Sequence, residues 1–196
     1  MMEKKEIKLF STMTYYDLMS EVYLTGDLAQ IEGYLRTLDV SLDDVNRDDL
    51  VHEMRDLHSD FEDDLGLLRH ETLISLASSS PYHCRAVDVI HLLVAHGAPL
   101  DDSANLTAAL STSNRTVLEC MVGLGITVLP HHVLYAFQRS TVDVLEWLYR
   151  IGVRVSRCDR DSLVTLIHAR SQAEPATTEQ LWKLYQGFTQ RSHTKC

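Results

Sequence analysis

One ten-residue pattern occurs three times in this 196-residue chain, at Val89–Ala98, Val117–Ile126 and Val144–Val153. Each copy has two apolar residues, a polar one, three mostly apolar ones, two spacers, then glycine and a small or apolar residue. Apolar positions at i, i+1, i+3, i+4 and i+5 give a helix a wide face to bury. A glycine after such a helix supplies the left-handed conformation that ends it. The pattern predicts three helices, each packed between neighbours and closed by glycine.

A shorter helix is predicted ahead of each of these, and an alanine closes it where two helices must approach closely. These shorter helices are Thr72–Ala77, Ala104–Ala109 and His131–Ala136. A further copy of the two-helix unit is visible at Val22–Leu35. Another opens at Asp161–Leu166, with a second helix at Leu181–Tyr185 after a loop containing Pro175. Because one such unit cannot bury its apolar face alone, the repetition predicts a stack of helix pairs.

Several of these residues resemble the ankyrin repeat, whose pattern is T-P-L-H-x-A, a turn, a V-V-x-L-L-L helix, then G-A. Thr72 with Ala77, the Gly97-Ala98 pair and the turn glycine Gly26 carry the likeness, which covers most of residues 13–187 and is best over 72–153. The resemblance implies an all-α protein, an α-solenoid of about five ankyrin-like helix-turn-helix repeats.

We expect a single solenoid domain over residues 1–196. Its predicted parts are an N-terminal repeat (13–40), an acidic helical insertion (41–70), three repeats (71–100, 101–127 and 128–155), a C-terminal capping repeat (156–188) and a tail (189–196).

The chain also departs from the ankyrin pattern. The T-P-L-H proline and histidine are replaced in all three repeats, and the turn glycine becomes Ser113 and Ser140. The closing glycines Gly97, Gly125 and Gly152 are spaced by 28 and then 27 residues, against about 33 in the family. The missing residues fall where ankyrin repeats build a β-hairpin finger. We therefore predict short or absent fingers and little or no β-structure, with a different α-solenoid as the alternative.

The resemblance also implies a function, which is non-catalytic binding of another protein. The family's recognition surface is the concave side, formed by first-helix positions just after the conserved alanine. Transferred by position, the predicted partner-binding residues are Leu24, Thr25, Ser111, Thr112, Gln138, Arg139 and His168, with Ala169 beside the last. The alternative interpretation is that they are ordinary exposed helix residues.

Residues 41–70 interrupt the repeats with a strongly acidic segment. Between Asp43 and Asp64 there are ten acidic residues against Arg47 and Arg55. Leu50, Met54, Leu57 and Phe61 recur as one helical face, and Asn46 is a suitable N-cap for such a helix. A solvated helix that keeps the chain soluble is one interpretation. The other is an acidic lobe that docks on a basic partner, as an inhibitor or a nucleic-acid mimic, through Asp48, Asp49, Glu53, Asp56, Asp60, Glu62, Asp63 and Asp64.

Composition limits the partners. The net charge of −10 disfavours non-specific attachment to nucleic acid or anionic lipid. We expect no direct nucleic-acid binding and no membrane span, and the start of the chain lacks the apolar core of a secretory signal. Four scattered cysteines indicate reduced thiols in an intracellular, cytoplasmic or nuclear protein. The partner, the oligomeric state and the setting, a host regulator or a microbial or viral protein aimed at one, stay open.

Motifs for catalysis or metal binding are incomplete. His52 to Asp56 begins like a zinc-protease helix but has aspartate where the second histidine is needed. We place His83-Cys84 in a loop after Pro81, and we expect His131 and His132 to lie on different faces of a helix start. We predict no enzyme, no cofactor and no metal. An enzyme using His52 and neighbouring acids is the third hypothesis.

A few apolar and sulfur-containing residues are predicted to be core. Cys120 falls inside an apolar helix pattern, so we expect it to be buried. Four aromatic residues at helical spacing are expected in the core rather than around a ligand: Trp147, Tyr149, Trp182 and Tyr185.

Overall fold

The computed structural model describes Tyr15 and residues 17–38, 72–80, 83–100 and 103–189. Within these residues the chain forms ten α-helices and two short 3-10 helices and contains no strand, which confirms the all-α prediction for this part of the chain. The acidic segment 41–70, including the eight acidic residues named for the lobe and His52, lies outside the described residues. Both interpretations of that segment stay predictions.

The helices follow one another along the described part of the chain. Their bounds are α1 17–24, α2 Leu28–Thr37, α3 Leu73–Ser79, α4 His83–Ala95, α5 Ser103–Ser111, α6 Arg115–Gly123, α7 Pro130–Arg139, α8 Val142–Arg150, α9 Arg160–Ala173 and α10 Thr178–Thr189. The 3-10 helices are Arg157–Asp159 and Pro175–Thr177. We call the odd-numbered helices first helices and the even-numbered ones second helices.

Two of the turns inside pairs share one conformation. Gly26, between α1 and α2, has φ 62°, and Ser113, between α5 and α6, has φ 54°. The next residue caps the second helix in both cases. Asp27 Oδ1 accepts from the backbone N–H groups of Ala29 and Gln30, and Asn114 Oδ1 accepts from that of Val117. Ser113 therefore has the left-handed conformation of Gly26, with which it aligns, whereas Ser140, aligned to the same position, is extended with φ −87°.

Glycine ends three of the second helices, α4, α6 and α8, as predicted. Gly97, Gly125 and Gly152 have φ values of 87°, 107° and 89°. In each case the residue after the glycine donates to a carbonyl five residues earlier, as Ile126 does to Met121 at 3.1 Å. The glycine itself donates to the carbonyl three residues before it, as Gly125 does to Val122 at 3.1 Å. This pair of bonds is the Schellman motif.

Gly123 and Gly125 allow a matched test of this helix end. A β-carbon added at either position would meet nothing within 4 Å among the described residues, so packing does not separate them. Gly125→Ala should lower the free energy of unfolding by about 1 kcal/mol because alanine is strained at positive φ. Gly123→Ala should raise it by about 0.5 kcal/mol because Gly123 is helical. Denaturant titration of both variants measures the difference, and equal effects would contradict the assigned helix end.

Contacts divide the chain into two compact units, Met1–Ala108 and Ala109–Cys196, with the division inside α5. In the first unit, α3 packs on α4 and α2 also contacts α4, around Leu18, Ile31, Ile74 and Ile90. In the second unit, α7 and α9 pack together, as do α8 and α10, around Met121, Phe137, Leu163 and Phe188. The rings of Phe137 and Phe188 meet edge to face at 5.7 Å. The single solenoid domain and its residue divisions stay predictions.

Two predictions about individual residues are wrong. His83 and Cys84 are not in a loop, because α4 begins at His83, about one helical turn ahead of its first buried residue, Ala86. Cys120 is half-buried rather than core, because the buried face of α6 is formed by Val117, Leu118 and Met121.

The four aromatic residues predicted to be core also differ in burial. Trp147 is buried as predicted, whereas Tyr149 is 38% exposed and Trp182 and Tyr185 are half-buried. Tyr149 follows the buried pair Trp147 and Leu148 and lies at the edge of the buried face of α8. The prediction of four core aromatic residues therefore holds for Trp147 alone.

Candidate interaction surface

The predicted partner-binding residues lie at or near the C-terminal ends of first helices. Leu24, the last residue of α1, is 51% exposed, and Thr25 is exposed beside it. Five more lie in the second unit, where Ser111, Gln138, Arg139 and His168 are exposed and Thr112 is half-buried. Ala169, next to His168, is also exposed. All of these residues except Thr112 are accessible to a partner, and Thr112 is accessible in part.

Two side chains join the ends of first helices in the second unit. Ser140, which follows α7 and is buried, donates its hydroxyl to the Leu110 carbonyl of α5 at 2.6 Å. Arg170 of α9 donates from Nη1 to the Phe137 carbonyl of α7 at 3.2 Å. These bonds add a partner to carbonyls in the last turns of helices, where carbonyls lack the i+4 N–H of a helix interior, and the Leu110 carbonyl also accepts from the Ser113 N–H at 3.2 Å. They bring the ends of α5 and α7, and of α7 and α9, next to each other.

We call the set Ser111, Thr112, Gln138, Arg139 and His168 the helix-end surface. The carbonyls of Leu110 and Phe137 belong to the residues directly before Ser111 and Gln138. The cross-helix bonds therefore hold the backbone immediately beside the predicted binding positions. This geometry gives the surface a fixed support within the second unit.

The first unit contains the same arrangement. Buried Ser80, after α3, donates its hydroxyl to the Tyr23 carbonyl of α1 at 2.8 Å. Tyr23 directly precedes Leu24, as Leu110 precedes Ser111. Leu24 and Thr25 thus hold in the first unit the place that the helix-end surface holds in the second.

Sequence reasoning missed these supporting residues. The Arg170 side chain is 12% exposed and is held by Glu174, whose carboxylate lies 3.3 Å from Arg170 Nη2. Ser80, Ser140 and Arg170 lie 57, 30 and 33 residues from the carbonyls that they satisfy. Hydrophobic periodicity contains no signal for such pairs. A side chain that can donate a hydrogen bond, placed at the end of a first helix, is the sequence feature that could have indicated these residues.

The opposite ends of two first helices are held by buried polar side chains at equivalent positions. Asn105 donates to the carbonyls of Pro99 and Leu100 at 3.2 and 3.1 Å and accepts from the Thr72 hydroxyl. His132 Nδ1 accepts from the backbone N–H of Leu129 at 3.0 Å. Each fixes the loop that enters its helix, and both occupy the second place of the altered T-P-L-H sequence. Burial, and then the charge of His131, lowers the pKa of His132 from 6.5 to about 4.

His131 is exposed and His132 is buried, as expected for different faces of a helix start. Their rings nevertheless lie close, with centroids 4.0 Å apart and planes inclined by 50°. Among the described residues there is no group of three His, Cys, Asp or Glu side chains that could hold a metal ion.

The chemistry of the helix-end surface suits hydrogen bonding to another protein. It presents two hydroxyls, an amide, a guanidinium and an imidazole. The His168 ring is oriented by Trp182, with their centroids 5.3 Å apart and the rings edge to face. Because the backbone beside these side chains is already fixed, a partner does not have to order it on binding.

In the described part of the chain, no helix is both long enough and apolar enough to cross a membrane. Comparison with protein-family models, with curated proteins and with solved structures finds no match to this chain.

Proposed function

We propose that the chain is a non-catalytic protein-protein interaction module that binds its partner through the helix-end surface. In the proposed ankyrin-like solenoid this surface belongs to the concave helix face, and Leu24 and Thr25 hold the equivalent positions in the first unit. One observation carries the proposal: the same kind of hydrogen bond links first helices three times. In each, a side chain in or just after one first helix donates to a carbonyl near the end of another. The pairs are Ser80 to Tyr23, Ser140 to Leu110 and Arg170 to Phe137.

That recurrence supports binding for a physical reason. Bonds at equivalent backbone positions, one of them buried and two partly buried, keep short helices aligned, so the exposed residues beside them form a regular and preorganised surface. Preorganisation favours association because less conformational freedom is lost on binding. Gln138 and Arg139 are both exposed at the end of α7 and contribute the amide and the guanidinium to this surface.

Affinity capture from an extract of the source cells, read by mass spectrometry, tests the proposal. The bait pair is the wild-type protein and Gln138→Ala/Arg139→Ala. The matched control is Gln30→Ala/Arg36→Ala, which removes the same two residue types from exposed positions on α2. We expect a protein that the wild type and the control enrich and the α7 variant loses. Equal enrichment by both double variants would rule out the helix-end surface.

The charge of residues 43–64 supports a second candidate function, that of an acidic inhibitor or nucleic-acid mimic. Ten acidic residues against two basic ones would attract a basic partner. Salt titration of the captured complex separates the two functions. Binding through the acidic segment should weaken steeply as salt rises, because exposed charges are screened over about 10 Å at 0.1 M salt. Binding through the helix-end surface should depend on salt weakly.

A further inference from the structure

A groove of about 500 Å³ lies between the second helices α8 and α10 in the C-terminal unit. Its volume is in the range of ligand-binding clefts. Tyr149 and Leu184 provide its apolar surface, and charged or amide side chains line the rest. The lining residues of this α8–α10 groove are Glu146, Tyr149, Arg150, Gln180, Lys183, Leu184, Gln186 and Gly187.

Tyr149 is held in place at this groove while part of its ring stays exposed. Its ring packs edge to face on Phe188, with centroids 5.7 Å apart, and the Arg154 guanidinium lies 5.2 Å from the ring centroid. Gly187 makes the position possible, because a β-carbon at residue 187 would lie 2.7 Å from Cε2 of Tyr149. The tyrosine is therefore a fixed aromatic anchor that remains 38% exposed. Tyrosine and arginine are the residue types that dominate binding energy at protein interfaces.

The charges at the groove favour an acidic ligand. Arg150 and Lys183 have side chains 58% and 70% exposed. Their neighbours Glu146 and Glu179 lie at 3.9 and 2.7 Å, but such exposed pairs contribute only about 0–1 kcal/mol and exchange easily for a better partner. Residues 109–196 contain ten Lys and Arg against seven Asp and Glu, a net charge of +3 in a chain of −10.

We propose that the α8–α10 groove is a second protein-binding site that takes an acidic peptide segment of a partner. An apolar side chain of the segment lies on Tyr149, and its carboxylates pair with Arg150 and Lys183. A peptide fits better than a nucleic acid because it can place single carboxylates beside the two cations. A continuous row of phosphates would instead also meet Glu146 and Glu179.

The proposal is tested by NMR titration with a short synthetic peptide rich in glutamate and carrying one phenylalanine. We expect saturable shifts confined to residues 146–154 and 180–188. Charge reversal by Arg150→Glu/Lys183→Glu should weaken binding about tenfold or more, since two attractive contacts become repulsive. The variant should fold normally because both side chains are exposed.

The matched control is Arg36→Glu/Arg85→Glu, which changes net charge by the same amount at exposed positions outside both the groove and the helix-end surface. It should bind the peptide like the wild type. An equal loss of affinity in the control would overturn the proposal, as would shifts without saturation. Tighter binding of a single-stranded DNA oligonucleotide at the same residues would overturn the assignment to a peptide.

Discussion

Replacing Trp147 by alanine is expected to lower the free energy of unfolding by about 3–5 kcal/mol. Trp147 is 5% exposed and lies between Leu145 and Leu148 on the buried face of α8. Alanine would remove most of a large apolar side chain and leave a cavity that short neighbouring helices cannot fill without moving. Since a domain is stable by only about 5–15 kcal/mol, this loss is a large share of the total.

Denaturant titration followed by circular dichroism measures the change, with Leu129→Ala as the control. Leu129 belongs to the same unit but is 45% exposed, so its truncation should cost less than about 1 kcal/mol. A loss below about 1 kcal/mol for Trp147→Ala would contradict the orientation assigned to α8.

Acid should destabilise the protein through His132 before most carboxylates are protonated. The pKa of His132 is about 4 in the folded state against an ordinary 6.5. Because the pKa is lower in the folded state, neutral His132 contributes to the free energy of unfolding above pH 6.5. This contribution is lost as the pH falls toward 4. This difference in pKa corresponds to a loss of about 3 kcal/mol in the free energy of unfolding between pH 7 and pH 4. Protonation also removes the Nδ1 acceptor that holds the Leu129 backbone N–H.

His132→Asn isolates this contribution, because an asparagine oxygen can accept the same bond and does not titrate. The wild type should lose about 3 kcal/mol more than this variant when unfolding is measured at pH 7 and at pH 4. His168→Asn, at an exposed position, shows the general effect of removing one imidazole. Identical pH dependence in the wild type and His132→Asn would contradict the capping role.

Local features of the fold could be predicted from sequence because their causes are local. The helix ends at Gly97, Gly125 and Gly152 follow from a backbone conformation that glycine adopts most easily. The buried residues of α8, Val144, Leu145, Trp147 and Leu148, follow from apolar periodicity. The alignment with the turn glycine Gly26 is right for the backbone of Ser113 but wrong for Ser140, whose backbone is extended.

The supports of the candidate surface could not be predicted in this way. The hydroxyl of Ser140 and the guanidinium of Arg170 bind carbonyls that only the packing of separate helices brings within reach. Asn105 and His132 stand where the T-P-L-H pattern has proline. Asn105 donates to two carbonyls of the loop before its helix, whereas His132 accepts from a backbone N–H of the loop before its own. The helical spacing predicts a core position for Tyr149, but periodicity marks the buried face of a helix and does not define its edges.

Site-specific crosslinking of the captured partner tests the central claim most directly. A photoreactive amino acid is placed at Gln138 on the helix-end surface and, in a second protein, at Gln30 on α2, and both positions are exposed. The helix-end account predicts that the partner forms a covalent adduct from position 138 and not from position 30. Adducts from position 30 without adducts from position 138 would contradict it.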